Sequence, residues 1–457
     1  MLRERIEQIH MFEALLPFQI GDTSPELKAV SDFLDAHPQI LSEFTAAMVK
    51  RSTHSKTLGR PSESAEAVLR MLILRRMHKL TFRMTHDLTT DSFVLRKFTR
   101  VYYESVPTYS TLCKYDSLLS DDVLKRINQH IIRGAKALKI TRGAQLRVDS
   151  TVVEADIHYP TDSGLLYDGV KVLSRAARKC RDLGLAAGEA TRDFTRSAKR
   201  QLLNIVKYAK KRSDEGRTEF KQTYEKMIAI AKRCVLNAKK LVAGISEEAG
   251  GQAARVRLQM QQIAPLVEKV IEQATRRVLF GEKLTTDEKV LSLFQPDAYV
   301  IRKGKRARPT EFGKLVEIQQ VDGKLISNWE IHDSNVYDAE RFIPAVEQHM
   351  QTFGKPPNLA AGDRGYSSED NENRAKELGV KRVCLPKKGK KSKERAAYEK
   401  QRWFKAGHRF RAGIEGTISV LKRRHGLDRC RNRGDGAYDR WVGLGVIAYN
   451  LMTIAIT

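Results

Sequence analysis

Residues 144–154, AQLRVDSTVVE, alternate with a period of two, and the next stretch of that kind, EFGKLVEIQQVDGKLISNWEIHD, begins only at residue 311. A single strand leaves its backbone donors and acceptors unpaired, so the first stretch must find its partners across the intervening chain. From residue 170 to about 292 that chain reads as helix, in KRQLLNIVKYAKKRSDEGRTEFKQTYEKMIAIAKRCVLNAKKLV and GQAARVRLQMQQIAPLVEKVIEQATRRVLF. The periodicity predicts two long helices, an antiparallel pair or coiled-coil-like arm. The chain therefore builds a sheet whose first strand is followed by a helical excursion.

After the excursion the pattern is regular. Asp322-Gly323 between two alternating runs signals a hairpin. DAERFIPAVEQHMQTFG (338–354) is an amphipathic helix stopped by Gly354, and NLAAGDRGYSS (358–368) is a short apolar strand ending at Asp363. A helix (EDNENRAKELG), a strand (KRVCLP), a basic loop and a helix carrying Glu415 follow, and then an apolar helix at 438–455 packed on the core. Without the insertion, the order is three antiparallel strands and then alternating helix and strand. This is the order of an RNase H-like core, an α/β fold with a mixed sheet. The expected segments are 1–56, N-terminal helices; 57–140, a helical domain; 141–169 and 300–457, the core; and 170–299, the insertion.

Charge points to the partner. The chain carries 82 Lys and Arg against 55 Asp and Glu, a formal net of +27. Residues 381–433 alone hold 19 Lys and Arg against four acids. Such a field attracts polyanions, and nucleic acid is the expected partner. In residues 57–140, Pro61 stands at a helix start, and Ala65, Val68, Leu69, Leu72 and Ile73 recur at helical spacing. With PTYSTLCKYDSLL they suggest a helix-turn-helix-like DNA-binding module. No run approaches the roughly 18 apolar residues of a membrane span, and the N-terminus lacks a signal-peptide core, so a cytoplasmic protein is expected. Five scattered cysteines give no zinc spacing and read as reduced, mostly buried thiols.

Three acids stand out against this basic background. Asp149 lies within the first strand on the face of Thr151 and Val153, opposite Val148, Ser150 and Val152. Asp363 ends the fourth core strand, and Glu415 sits on a later helix. Open sheets gather their chemistry at strand ends. Three carboxylates converging there make a hard oxygen site for Mg²⁺ or Mn²⁺, and two such ions about 4 Å apart suit in-line phosphoryl displacement. On a helix turning about 100° per residue, His408, Arg411, Glu415 and Lys422 form one stripe. The bland alternative for Glu415 is an ordinary surface pair with Arg411.

These segments resemble the catalytic motifs of bacterial insertion-sequence transposases with a DDE domain. LRVDSTVVEADIH resembles the segment around the family's first aspartate, and AAGDRGYSS the second. HRFRAGIEGTISVLKRRHGLDR resembles the glutamate segment. There the signature Tyr-x2-Arg-x3-Glu-x6-Lys is met by Arg411, Glu415 and Lys422, with His408 where Tyr is usual. GRPSESAEAVLRMLILRRM resembles the family's helical N-terminal domain. The likeness covers about residues 59–160 and 305–455. The insertion is not where the best-known members carry theirs, and it is compatible with an unclassified insertion-sequence group.

The resemblance implies a transposase that binds terminal inverted repeats and uses two Mg²⁺ (or Mn²⁺) ions on Asp149, Asp363 and Glu415 to cut DNA and transfer the strand. It implies double-stranded DNA as partner, a homodimer in the DNA complex and a place on the bacterial nucleoid. The alternative is a nuclease of the same fold that only hydrolyses. His408, Arg411, Lys422, Arg423, Arg424 and Arg364 are the expected phosphate contacts, and Trp403 the expected base-stacking side chain. The lysines of 387–393 form a phosphate-contacting loop. Glu154 and Asp156 are rival ligands, His332 and Asp333 a strand-end pair, Trp329 a core residue, and Tyr366 and the Gly365 turn structural.

Overall fold

The computed structural model describes residues 3–6, 24–49, 63–186, 188–286, 288–301, 310–332 and 337–457. Pro61 and Asp333 lie outside them. The chain divides into two compact units, residues 1–154 with 313–457, and residues 155–312.

The first unit opens with helices α1 (Pro25–Ala36), α2 (Pro38–Val49), α3 (Ala65–Met77), α4 (Phe82–Asp91), α5 (Phe93–Thr99), α6 (Tyr109–Asp116) and α7 (Asp121–Ala137). Most starts are capped as the sequence invites. Ser64, Thr81, Ser92, Thr108 and Ser120 each accept a hydrogen bond from a first-turn amide. The apolar spacing from Ala65 to Ile73 does form a helix, α3, and every residue from Ala65 to Met77 is buried. Its three arginines are accommodated by partners. Arg70 bonds Glu66 and Asp35, Arg75 bonds Asn432, and Arg76 bonds the Trp441 carbonyl with its guanidinium 3.7 Å from that ring. Burial, and next the charge of Arg75, bring the Arg76 guanidinium down to about 9.

The sheet follows the expected order. Strand β1 (Gln145–Ala155) leads into the second unit, which holds α8 (Asp162–Asp182), α9 (Thr195–Tyr208), α10 (Asp214–Gly244), α11 (Gly251–Ala274) and the short β2 (Tyr299–Ile301). Four helices stand where periodicity suggested two. The first run breaks after Tyr208 and restarts behind Ser213, whose hydroxyl caps α10. Their apolar faces share one core that includes Leu166, Met227, Met260 and Val267.

The chain then returns through β3 (Glu311–Val321) and β4 (Ile326–His332). The hairpin turn uses Gly323 at φ 76°, a backbone that favours glycine. Next come α12 (Phe342–Phe353), β5 (Leu359–Ala361), α13 (Glu369–Glu377), β6 (Arg382–Cys384), α14 (Lys393–Lys400), α15 (Arg402–His425), β7 (Arg429–Cys430) and α16 (Ala437–Ala455). β4, β3 and β1 run antiparallel, and β1, β5 and β6 run parallel, in that spatial order. The fold is thus a mixed α/β sheet of the RNase H-like order.

Both faces of the sheet are covered. Val148 packs with Phe342, Val346 and Tyr366 on one side, while Val153, Val316 and Ile318 join the core of Ile414, Leu421 and the α16 residues on the other. Trp329 is fully buried, as expected. No helix among the described residues is long and apolar enough to cross a membrane. Four of the five free thiols are buried, and Cys113 is exposed.

Candidate active site

The site is assembled where the middle of β1 passes the end of β5. The start of β1 is fixed by Asp322 in the hairpin turn, whose carboxylate accepts from the amides of Arg142 and Ala144 at 2.7 Å each. β1 and β5 run parallel with Arg147 opposite Ala361. Two residues further along each chain stand Asp149 and Asp363, so one register carries both acids to the same level. Asp149 accepts from the Ser150 amide at 2.8 Å, and Asp363 caps the turn that follows by accepting from the Gly365 amide at 2.7 Å. Both are half-buried. Both act on Tyr366. Burial first, then the charges of Glu317, Asp149 and Asp363, push its hydroxyl well above the usual tyrosine range, with Arg341 opposing.

Helix α15 crosses the Arg147 face of the sheet at close range. A Cβ on Gly413 would meet Arg147 Nη1 at 2.5 Å, which explains a glycine inside this helix. Arg147 donates to the Phe410 carbonyl of α15 and to Gln320 of β3, and Gln320 donates to Thr417 of α15 at 2.8 Å. The helix is therefore tied to the strand that carries Asp149.

Glu415 itself is 67% exposed and pairs with Arg411 at 2.8 Å, four residues earlier. This is the surface pair that the sequence left open. The two aspartates are brought level, while Glu415 is held by an arginine. Among the described residues no three His, Cys, Asp or Glu side chains stand close enough together to hold a metal ion. The donor chemistry of the aspartate pair, carboxylate oxygens from the middle of one strand and the end of the next, still fits a hard divalent ion.

The basic residues flank this place. Arg364, next to Asp363, is exposed. It lines a cleft of about 340 Å³ with Lys391, Phe404, Lys405, His408 and Arg409. Lys422 is half-buried, and Arg423 and Arg424 are exposed. Trp403 is half-buried in an aromatic cluster, edge-on to Tyr398 and Phe404 at 5.4 Å each. The basic loop is organised around one acid. Glu399 accepts from the Lys387 amide and pairs with Lys391 and Arg395. Glu154, the rival ligand, is paired with Arg429 at 3.1 Å.

The sequence reading passed over Arg147, Glu317, Asp338 and Arg341. A charge in the apolar run KLVEIQQV was the available signal for Glu317.

Two family models match. The transposase DDE domain covers residues 371–455, the part that holds Glu415, and the transposase domain (DUF772) covers residues 17–118. Both matches support a DDE transposase of an insertion sequence. No curated protein and no solved structure matches it. As a transposase it is an enzyme that acts on DNA, and DDE domains use divalent metal ions. The two matched stretches lie at opposite ends of the sequence but in the same compact unit.

Proposed function

We propose that this transposase recognises the terminal inverted repeats of an insertion sequence through its N-terminal helices, cuts the DNA at those ends and joins them to a target. Asp149, Asp363 and Glu415 are its metal ligands and catalytic acids. The observation that carries this reading is the shared register of Asp149 and Asp363, with the DDE family match lying over the glutamate helix.

When bound, two Mg²⁺ or Mn²⁺ ions supply the clamp on the attacking and leaving oxygens of an in-line displacement. Asp149 and Asp363 present carboxylate oxygens from neighbouring strands, held by the Ser150 and Gly365 amides. Glu415, the exposed member of the pair, completes the set by exchanging its half-buried partner Arg411 for the site. Arg411, so released, faces the scissile phosphate together with Lys422 and His408. Arg364, Arg423 and Arg424 hold the flanking backbone, and the exposed edge of Trp403 takes an unpaired base. Two ends require two protomers, hence a dimer on DNA.

The test uses labelled DNA carrying both element ends and a plasmid target, with Mg²⁺ or with EDTA. Metal-dependent nicking and joined products, both lost in Glu415→Gln while DNA binding survives, are expected. Cleavage without joining would replace this reading by that of a nuclease. Activity in EDTA would sink the three-carboxylate mechanism.

A further inference from the structure

Behind the aspartate pair lies a buried ionic cluster for which the proposed mechanism has no use. Tyr366 is 0% exposed, and its hydroxyl has no hydrogen-bond partner. Glu317 is 1% exposed with Oε2 unbonded, and Arg341 is 4% exposed with Nε and Nη1 unbonded. These groups belong together. Arg341 Nε stands 3.8 Å from Glu317 Oε2, too long for a hydrogen bond, and the guanidinium lies 5.8 Å from the Tyr366 ring centroid.

A buried polar atom left unbonded costs about 1–3 kcal/mol, and four in one place call for a role beyond stability. The cluster touches both sides of the candidate site. Glu317 is the cross-strand partner of Ser150, next to Asp149. Arg341 donates to Asp338, and Asp338 backs the Asp363 turn. A Cβ on Gly365 would meet Asp338 Oδ2 at 2.4 Å and Asp363 Oδ1 at 3.0 Å. One guanidinium thus reaches β3, the turn before α12 and the turn after β5.

We infer that Arg341, with Glu317, Asp338 and Tyr366, is a positioning device that sets the spacing of Asp149 and Asp363 for a divalent ion. This rests on the metal-ligand reading of the two aspartates. The open 3.8 Å contact is the slack in the device. When an ion draws the two carboxylates together, the turn after β5 moves with Asp363, and the unbonded Arg341, Glu317 and Tyr366 atoms gain partners. Supporting residues of this kind typically change metal affinity by about 10–100-fold.

The experiment measures Mn²⁺ binding to the full-length, DNA-free protein by electron paramagnetic resonance of the free aqueous ion, alongside the Mn²⁺ concentration for half-maximal cleavage. Tyr366→Phe removes only a hydroxyl that bonds nothing, so it folds even if Arg341→Lys does not. Expected are a melting temperature for Tyr366→Phe at or above that of wild type, since an unbonded buried hydroxyl is removed, and a Kd for Mn²⁺ raised about tenfold, with cleavage recovered at high Mn²⁺. Arg341→Lys keeps the charge but not the three-way reach, and weakens Mn²⁺ binding further. Asp149→Asn is the control and loses binding. If Asp149→Asn loses Mn²⁺ while Tyr366→Phe and Arg341→Lys bind as wild type, the positioning role is overturned and the aspartate reading stands. If Asp149→Asn binds as wild type, the aspartate reading falls and the inference with it.

Discussion

Asp149 and Asp363 are 214 residues apart in sequence and two residues beyond the same rung of a parallel strand pair, the rung that sets Arg147 against Ala361. Neither strand alone would make either acid unusual. The parallel pairing of β1 with β5 makes them neighbours, and it is possible only because the chain returns after its helical excursion.

Glu415 separates catalysis from stability. It is exposed, and its pair with Arg411 is worth about 0.3–0.5 kcal/mol. Glu415→Gln should leave the melting temperature within about a degree of wild type and lower the cleavage rate by about 10²–10³, the usual effect of removing one group that stabilises transition-state charge. Differential scanning calorimetry beside a cleavage time course checks it. A variant that melts early and still cuts would contradict the assignment.

Arg147 couples the two at once. It is buried and reaches Phe410, Gln320 and the Phe410 ring at 4.6 Å. Arg147→Met should destabilise by about 1–3 kcal/mol, since it strands the Gln320 side chain and a helix carbonyl. It should also impair cleavage beyond the stability loss, because the strand bearing Asp149 is no longer fixed to the helix bearing Glu415. Activity measured well below the melting transition separates the two effects.

Acid and base act on the first unit in opposite directions. Burial holds His349, which bonds the Gly143 carbonyl, and His425, which bonds the Arg76 carbonyl, down to about 4. Their neutral rings contribute stability that is present above the ordinary histidine value of about 6.5 and is lost as pH falls through 4, on the order of 3 kcal/mol each. Glu317 is pushed up to about 7 by burial, against the pull of Gln319 and Arg341. Its contribution is present below the ordinary carboxylate range and is lost as pH rises through 7. Thermal melts from pH 4 to 9 should therefore peak in between, and Glu317→Gln should flatten the alkaline limb alone.

Arg423 and Arg424 should answer to salt. Each phosphate contact contributes about 0.9 to the slope of log K against log salt on duplex DNA. The double variant Arg423→Ala, Arg424→Ala should reduce that slope by about 1.8, with no change in melting temperature. Filter binding or fluorescence anisotropy between 50 and 200 mM salt, roughly the range in which such contacts weaken, reads it directly. An unchanged slope would remove both residues from the DNA surface.

Strand order, hairpin, helix stops and the alternation about Asp149 were readable because each rests on a local period or a turn residue. The helix count of the insertion was not, because a capping serine in YAKKRSDEG is quiet beside the apolar repeat around it. The burial of α3 on all sides was not legible, because only the folded chain supplies Asp35, Asn432 and the Trp441 carbonyl that let its three arginines be buried. The three acids were picked out by type and order alone. The partner that holds Glu415 was legible only as an alternative, and the Glu317–Arg341 cluster hardly at all, since its members come from three distant elements.

The burial of α3 on all sides has a consequence for how the protein is made. Its packing partner is α16, near residue 441, whose backbone carbonyl and ring hold Arg76. A growing chain therefore synthesises α1 to α7 long before the surface that α3 needs exists. Until that late helix emerges, the leading segment must wait unfinished, with apolar and charged side chains open to solvent. The leading helices and the strands of the first unit can then reach their folded state only together, at the end of translation.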